Sequence, residues 1–159
     1  MIILGIDPGS SRIGYGIIEK KGNSYKSIYY GIIDLLPSLT LIEKLINIYN
    51  EIKNLVNVYK PDIVSIEKVY YFKNQKTIIE VLEARGVILL CVAQLGINIV
   101  EITPLQVKSI TGFGRAKKEQ VAKMVEMMLG ITVKGHDDIT DALAIAIAGS
   151  NYAENKIFK

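Results

Sequence analysis

"IILGIDPGSS", residues 2–11, carries an apolar run from Ile2 to Ile6 that stops at a carboxylate, Asp7, and then turns through Pro8 and Gly9. A short apolar run bounded by turn residues reads as a fully buried strand. Asp-Pro-Gly is good turn chemistry by itself: Asp bonds nearby backbone, Pro fixes φ and Gly accepts positive φ. Turn chemistry alone therefore accounts for Asp7, unless other segments deliver acids to the same place.

The rest of the chain reads outward from this strand. "RIGYGIIEKK" (12–21) and "SYKSIYYGIIDL" (24–35) are two further strands joined by the hairpin-type turn Gly22-Asn23, which predicts an antiparallel meander. From Leu39 to Tyr59 the apolar residues recur at helical spacing, with Ser38 as candidate cap and Pro61 as stop. "DIVSIE" (62–67) is a short buried strand that also ends in a carboxylate, Glu67. A second helix is predicted over Asn74–Gln94. Its later part, "VILLCVA", is apolar nearly all round, so it is buried on more than one side, either centrally or against another subunit. "INIVEI" (97–102) is a fifth strand, and "PLQVKSI" a short helix. A Gly-containing loop then leads into a helix that stops at Gly130. "HDDITDALAIAIAGS" (136–150) is a last helix with Ala142, Leu143, Ala146 and Ile147 as its packing face, and residues 151–159 read as a tail. The order β-β-β-α-β-α-β-α-α predicts an α/β mixed sheet of five strands flanked by helices.

Composition bounds what this domain can be. The 159 residues, 50% hydrophobic, suit a single domain over residues 1–150 with a real core. The N-terminus lacks a basic region and a long apolar run, so no signal peptide is expected, and no segment approaches a membrane span. Cys91, the sole cysteine, lies in an apolar stretch; it reads as a small buried hydrophobe, and a reduced intracellular setting fits. The net charge of +3 is only mildly basic. Its distribution says more: Lys108, Arg115, Lys117, Lys118 and Lys123 share a stretch whose single acid is Glu119, and Lys68, Lys73 and Lys76 form a second excess. Such patches suit phosphate backbones, although charged runs are often only solvated surface.

The acids give the turn at Asp7 its second meaning. If the strands ending in Asp7 and Glu67 are parallel neighbours, their C-terminal ends meet where open α/β sheets place ligands. Asp138 and Asp141, three apart, share one face near the start of the last helix. Asp137 and Asp138 also suit helix capping. Asp141 directly precedes the Ala-rich helix body and is expected to face inward with it. Four clustered acids repel unless a cation sits among them, and hard oxygen ligands suit Mg²⁺ together with phosphate oxygens.

"ILGIDPGSSRIGYGII", "SIEKVYYFKNQKT", "EARGV", "TPLQVKSITGFGRAKKEQVAKMV" and "HDDITDALAIAIA" closely resemble, in order and spacing, the RuvC family of Holliday-junction resolvases, over essentially residues 1–150. The resemblance implies a ribonuclease-H-like fold, a homodimer, and Mg²⁺-dependent cutting of two opposing strands of four-way junction DNA in recombination and repair. It implies two Mg²⁺ per site, replaceable by Mn²⁺, held by Asp7, Glu67, Asp138 and Asp141, with Lys118 assisting catalysis. It implies DNA contacts from Tyr70, Lys73, Lys108, Arg115, Lys117 and Lys118, a branch-migration motor complex as partner, and a cytoplasmic location. Tyr70 stands where many relatives carry Phe, a change that base stacking tolerates. His136 reads as a helix-start residue rather than a ligand. The rivals are an actin-like phosphotransferase, for which the chain lacks a second domain, a junction-binding scaffold without catalysis, and a ribonuclease-H-like nuclease acting on hybrids or flaps.

Overall fold

The computed structural model of the chain describes residues 1–69, 77–112 and 115–157. Strands β1 (Ile2–Asp7), β2 (Arg12–Lys21) and β3 (Ser24–Asp34) form the expected meander, turning at Gly22 with its positive φ of 57°. Helix α1 (Leu41–Tyr59) leads to β4 (Ile63–Glu67), α2 (Ile78–Gln94) and β5 (Asn98–Ile102). The short α3 (Pro104–Lys108), one 3-10 turn (Ser109–Thr111), α4 (Lys118–Leu129) and α5 (Asp137–Ile157) complete the chain. The sheet order is β3-β2-β1-β4-β5. β1 runs parallel to β4, and β4 to β5, so β1 joins the meander to the crossover half.

Strand alternation divides the core into two layers. Leu4, Ile6, Ile13, Ile17, Val64 and Ile66 face α1 and α2, whereas Ile3, Ile18 and Ile63 face α4 and α5. Each fully buried isoleucine in these layers contributes about 1.5–3 kcal/mol. The same period of two places Gly5 and Asp7 on the Ile3 side, and Ser65 and Glu67 on the Ile63 side. Both strand-end acids therefore point to the layer occupied by α5, and Ser65 Oγ donates to the α5 carbonyl of Ile145 at 2.9 Å.

Helix α5 lies unusually close to the sheet because glycines make room for it. A Cβ on Gly5 would stand 2.6 Å from the Ala146 nitrogen, and one on Gly14 would run into the backbone carbonyl of Asp138. Every residue from Ala142 to Ser150 is buried, rather than one face alone, because α3 and α4 also pack against this helix.

Three boundaries depart from expectation. The α1 cap is Thr40, not Ser38: its Oγ1 accepts from Glu43 N–H while the Glu43 carboxylate accepts from Thr40 N–H, a reciprocal box that Ser38 is too far upstream to make. Residues from Asn151 are not a tail at their start, since α5 continues to Ile157 and Asn151 Oδ1 accepts from Lys20 Nζ (3.0 Å) and Tyr25 OH (2.7 Å). The described part of α2 begins at Ile78; its expected start at Asn74, with Tyr70, Lys73 and Lys76, lies outside the described residues. Helix α2 packs centrally on one side only, through Ala84, Ile88, Cys91 and Val92, and among the described residues its other side leaves Ile79, Leu82 and Leu90 exposed.

Candidate active site

The parallel pairing of β1 with β4, two central strands, sets Asp7 and Glu67 side by side at their C-terminal ends, and the first turns of α5 bring Asp138 and Asp141 close to them. Asp141 is anchored by Lys118, the first residue of α4, whose Nζ lies 2.7 Å from its Oδ2 and 3.6 Å from Asp137. Asp138 faces Arg12, whose Nε is 3.7 Å from its Oδ2 and whose guanidinium also donates to His136 Nδ1. Asp7, Glu67, Lys108, Lys117, Lys118 and Asp141 line one cleft of about 260 Å³. A second hollow lies beyond Lys118, along the β1–β2 turn and the start of α5.

These acids repel one another and are partly withdrawn from water. Burial, followed by the charges of Asp141, Glu67 and Asp138, pushes the Asp7 pKa up from 3.8 to about 8. Burial and Asp141 raise Glu67 against the pull of Lys108. Burial also raises Asp141, although Lys118 opposes it, and Lys118 is itself raised by its hydrogen bond to Asp141. Protonation of Asp7 in the fold has a thermodynamic consequence. Between about pH 4 and pH 8 the folded, metal-free chain holds a proton that the unfolded chain releases, so stability falls as pH rises through this window. Glu67 and Asp141 act in the same direction. Thermal unfolding in a chelator is expected to show a Tm that declines with pH across that window, with added Mg²⁺ flattening the decline.

The donor set fits a divalent cation. It consists of hard carboxylate oxygens, and the neighbouring acids that, after burial, raise Asp7 leave a concentration of negative charge that a cation would offset. Among the described residues no three acid or imidazole groups already converge on a single ion. Lys118 and Arg12 instead engage Asp141 and Asp138, so a cation entering the site competes with two ion pairs.

The sequence-expected acids thus come together, and Lys108, Lys117 and Lys118 join them. Arg115 is exposed in the loop before α4 and does not line the cleft. Tyr70 and Lys73 lie outside the described residues. His136 sits just ahead of α5 and its carbonyl accepts from Ile139 N–H, as a helix-start residue does. Sequence reasoning missed Arg12 and Gly14. Gly14 pairs with Asp7 across the β1–β2 ladder and lies beneath the Asp138 backbone; its signal is the repeated glycine of "GYG" inside the apolar stretch Ile13–Ile18.

The family model for crossover junction endodeoxyribonuclease RuvC matches residues 3–149. The chain belongs to the RuvC family. The crossover junction endodeoxyribonuclease RuvC of Petrotoga mobilis is 47% identical over 154 residues, covering 96% of this chain and 94% of that protein. The structure is similar to that of Thermus thermophilus RuvC, with a TM-score of 0.89 at 28% identity, covering 98% of this chain and 97% of the other. It is equally similar to T. thermophilus RuvC in complex with Holliday junction substrate, with a TM-score of 0.88 at 25% identity and coverage of 98% and 96%. The ribonuclease-H-like architecture expected from sequence is therefore the fold of RuvC structures.

Proposed function

We propose that this chain is a metal-dependent endonuclease that resolves four-way DNA junctions by paired, symmetric nicks, with Asp7, Glu67, Asp138 and Asp141 as its metal-binding acids. The observation that carries the assignment of residues is the convergence of Asp7, Glu67 and Asp141 from β1, β4 and α5 on one cleft edged by lysines, with Asp138 lining the adjoining hollow and adding its charge to those around Asp7. The family's relation to junctions carries the substrate.

Asp7, Glu67, Asp138 and Asp141 would together hold two Mg²⁺ ions; Mn²⁺ suits the same oxygen donors. Such ions, when bound, stabilise the attacking and leaving oxygens of an in-line displacement at phosphorus. The chain's own residues do the rest. Lys118 exchanges Asp141 for a phosphate oxygen, and Lys108 and Lys117 hold the strand by its charge. Arg115, Tyr70 and Lys73 extend the DNA contact beyond the cleft. The products are a 3′-hydroxyl and a 5′-phosphate.

Paired nicks need two sites. The exposed apolar stripe Ile79, Leu82 and Leu90 on α2 is suited to an isologous homodimer, which sets two clefts toward two strands of a near-symmetric junction. No described helix is long and apolar enough to cross a membrane. Action on DNA suits a cytoplasmic enzyme that works with a branch-migration motor complex.

The deciding experiment incubates the protein with a labelled mobile four-way junction, a linear duplex and an RNA–DNA hybrid, with and without Mg²⁺. Symmetric, Mg²⁺-dependent nicks confined to the junction are expected. Cutting of the hybrid alone would discard the substrate, and tight junction binding without cutting in Mg²⁺ or Mn²⁺ would discard catalysis.

A further inference from the structure

The segment "EARGV", residues 83–87, is part of the family pattern, yet the proposed chemistry gives it no task. Its arginine is the feature that stands out. The Arg85 side chain is only 16% exposed, although it starts from a helix whose outer face is open. Its Nε donates to the backbone carbonyl of Glu67 at 3.3 Å, and its Nη2 donates to the carboxylate of Glu101. One planar cation therefore ties three elements together: α2, the last residue of β4, and β5.

The place where it grips matters. The ladder between β1 and β4 runs only as far as Ile6–Ile66, one residue short of Glu67. On the other side the strand end is still held, since Glu67 pairs with Ile102 and Lys68 N–H donates to the Ile102 carbonyl at 2.7 Å. Glu67 thus leaves the sheet with one neighbouring strand in register instead of two. The Arg85 guanidinium bonds the Glu67 peptide at this point. Fixing that peptide fixes the backbone angles from which the Glu67 side chain departs toward Asp7 and Asp141. A fork with donors on two edges suits this double attachment, and an ammonium does not. Glu101 in turn holds the fork in its plane. A simple surface ion pair would gain little; here the Glu101 carboxylate is exposed, but the guanidinium is mostly covered and shares its donors with a backbone carbonyl at the site.

We propose that Arg85, oriented by Glu101, is a positioning residue that sets the Glu67 carboxylate for metal binding, acting from α2 through the Glu67 peptide. The proposal rests on the reading of Glu67 as a metal-binding acid.

The test measures Mn²⁺ binding to the free protein by electron paramagnetic resonance, alongside junction binding in a chelator. The proteins are wild type, Arg85→Ala, Arg85→Lys, Glu101→Gln and Asp7→Asn. Groups that orient metal-binding residues are typically worth about 10- to 100-fold in metal affinity or activity, and a loss of that size is expected for Arg85→Ala. Junction binding without metal should stay at the wild-type level, which a general loss of structure would not permit. Arg85→Lys should recover part of the Mn²⁺ affinity, since one of two attachments survives. Glu101→Gln should shift it in the same direction as Arg85→Ala but less.

Wild-type Mn²⁺ affinity in Arg85→Ala overturns the proposal. Should that variant fail to fold, wild-type affinity in both Arg85→Lys and Glu101→Gln overturns it equally. Asp7→Asn separates the two levels. If it binds Mn²⁺ as wild type does, the metal-site reading itself fails; if it loses the ion while the Arg85 variants keep it, only the role of Arg85 falls.

Discussion

Asp7→Asn is expected to lower junction cleavage by on the order of a thousandfold or more, the size that follows from losing several kcal/mol of metal-assisted transition-state stabilisation. The amide keeps the shape of the carboxylate and loses its charge, so the fold has no steric reason to change. Binding of the junction in a chelator should persist, because the lysines that edge the cleft are untouched. The same variant carries a second signature with the opposite sign. Asp7 is pushed to about 8 by burial and by its three acidic neighbours, so its ionisation opposes the metal-free fold. Removing that group should raise the Tm in a chelator near pH 8 and shrink the decline of Tm with pH. A variant that cuts worse but melts higher is what a charge-strained ligand set gives. Full cleavage by Asp7→Asn in Mg²⁺, read in single-turnover assays, would falsify the role given to this residue.

Gly14→Ala is expected to cost about 3 kcal/mol of stability, at the upper end for an inserted methyl, and to damage catalysis as well. The added methyl would run into the backbone carbonyl of Asp138, and a helix backbone cannot step aside as a side chain can. To fold, the variant must lift the start of α5, and Asp138 and Asp141 lift with it. Gly16→Ala provides the internal contrast. Its methyl meets chiefly the buried Leu143 side chain, with Cδ2 at 2.6 Å, and comes only within 3.1 Å of the Leu143 backbone nitrogen, a milder backbone contact than at Gly14. Denaturant unfolding should therefore rank Gly14→Ala well below Gly16→Ala, and cleavage at saturating Mg²⁺ should follow the same rank. Equal effects would mean that α5 is not seated on Gly14.

Much of this site is legible in the amino-acid sequence. An apolar run ending in Asp7, a second ending in Glu67, and two acids three apart at a helix start are local patterns, and period-two and period-3.6 arithmetic sends each to a definite face. The meander is legible through its two-residue turn. The family resemblance supplies what periodicity does not: which acids act together, and on what substrate. The illegible parts are long-range pairings. Arg12 meets His136 across 124 residues, and nothing in either segment's spacing announces it. Arg85 reads as an ordinary helix charge until β4 and β5 are set beneath it. The close seating of α5 is half visible, in the alanines of the helix, whereas the matching glycines read only as parts of strands. The cap at Thr40 is legible as well, in the Thr-x-x-Glu pattern of residues 40–43; Ser38, which follows Pro37, has Leu41 rather than an acid three residues on.

The seating of α5 over β1 and β4 has a bearing on synthesis. A ribosome makes Asp7 first, Glu67 much later, and Asp138 and Asp141 only as α5 is translated, while the helix needs the glycine track of β1 and β2 to dock. No half-made chain holds all four acids, because the first of them waits for the last. On the proposed assignment, a nuclease with this topology has no complete metal site until α5 docks on β1 and β2.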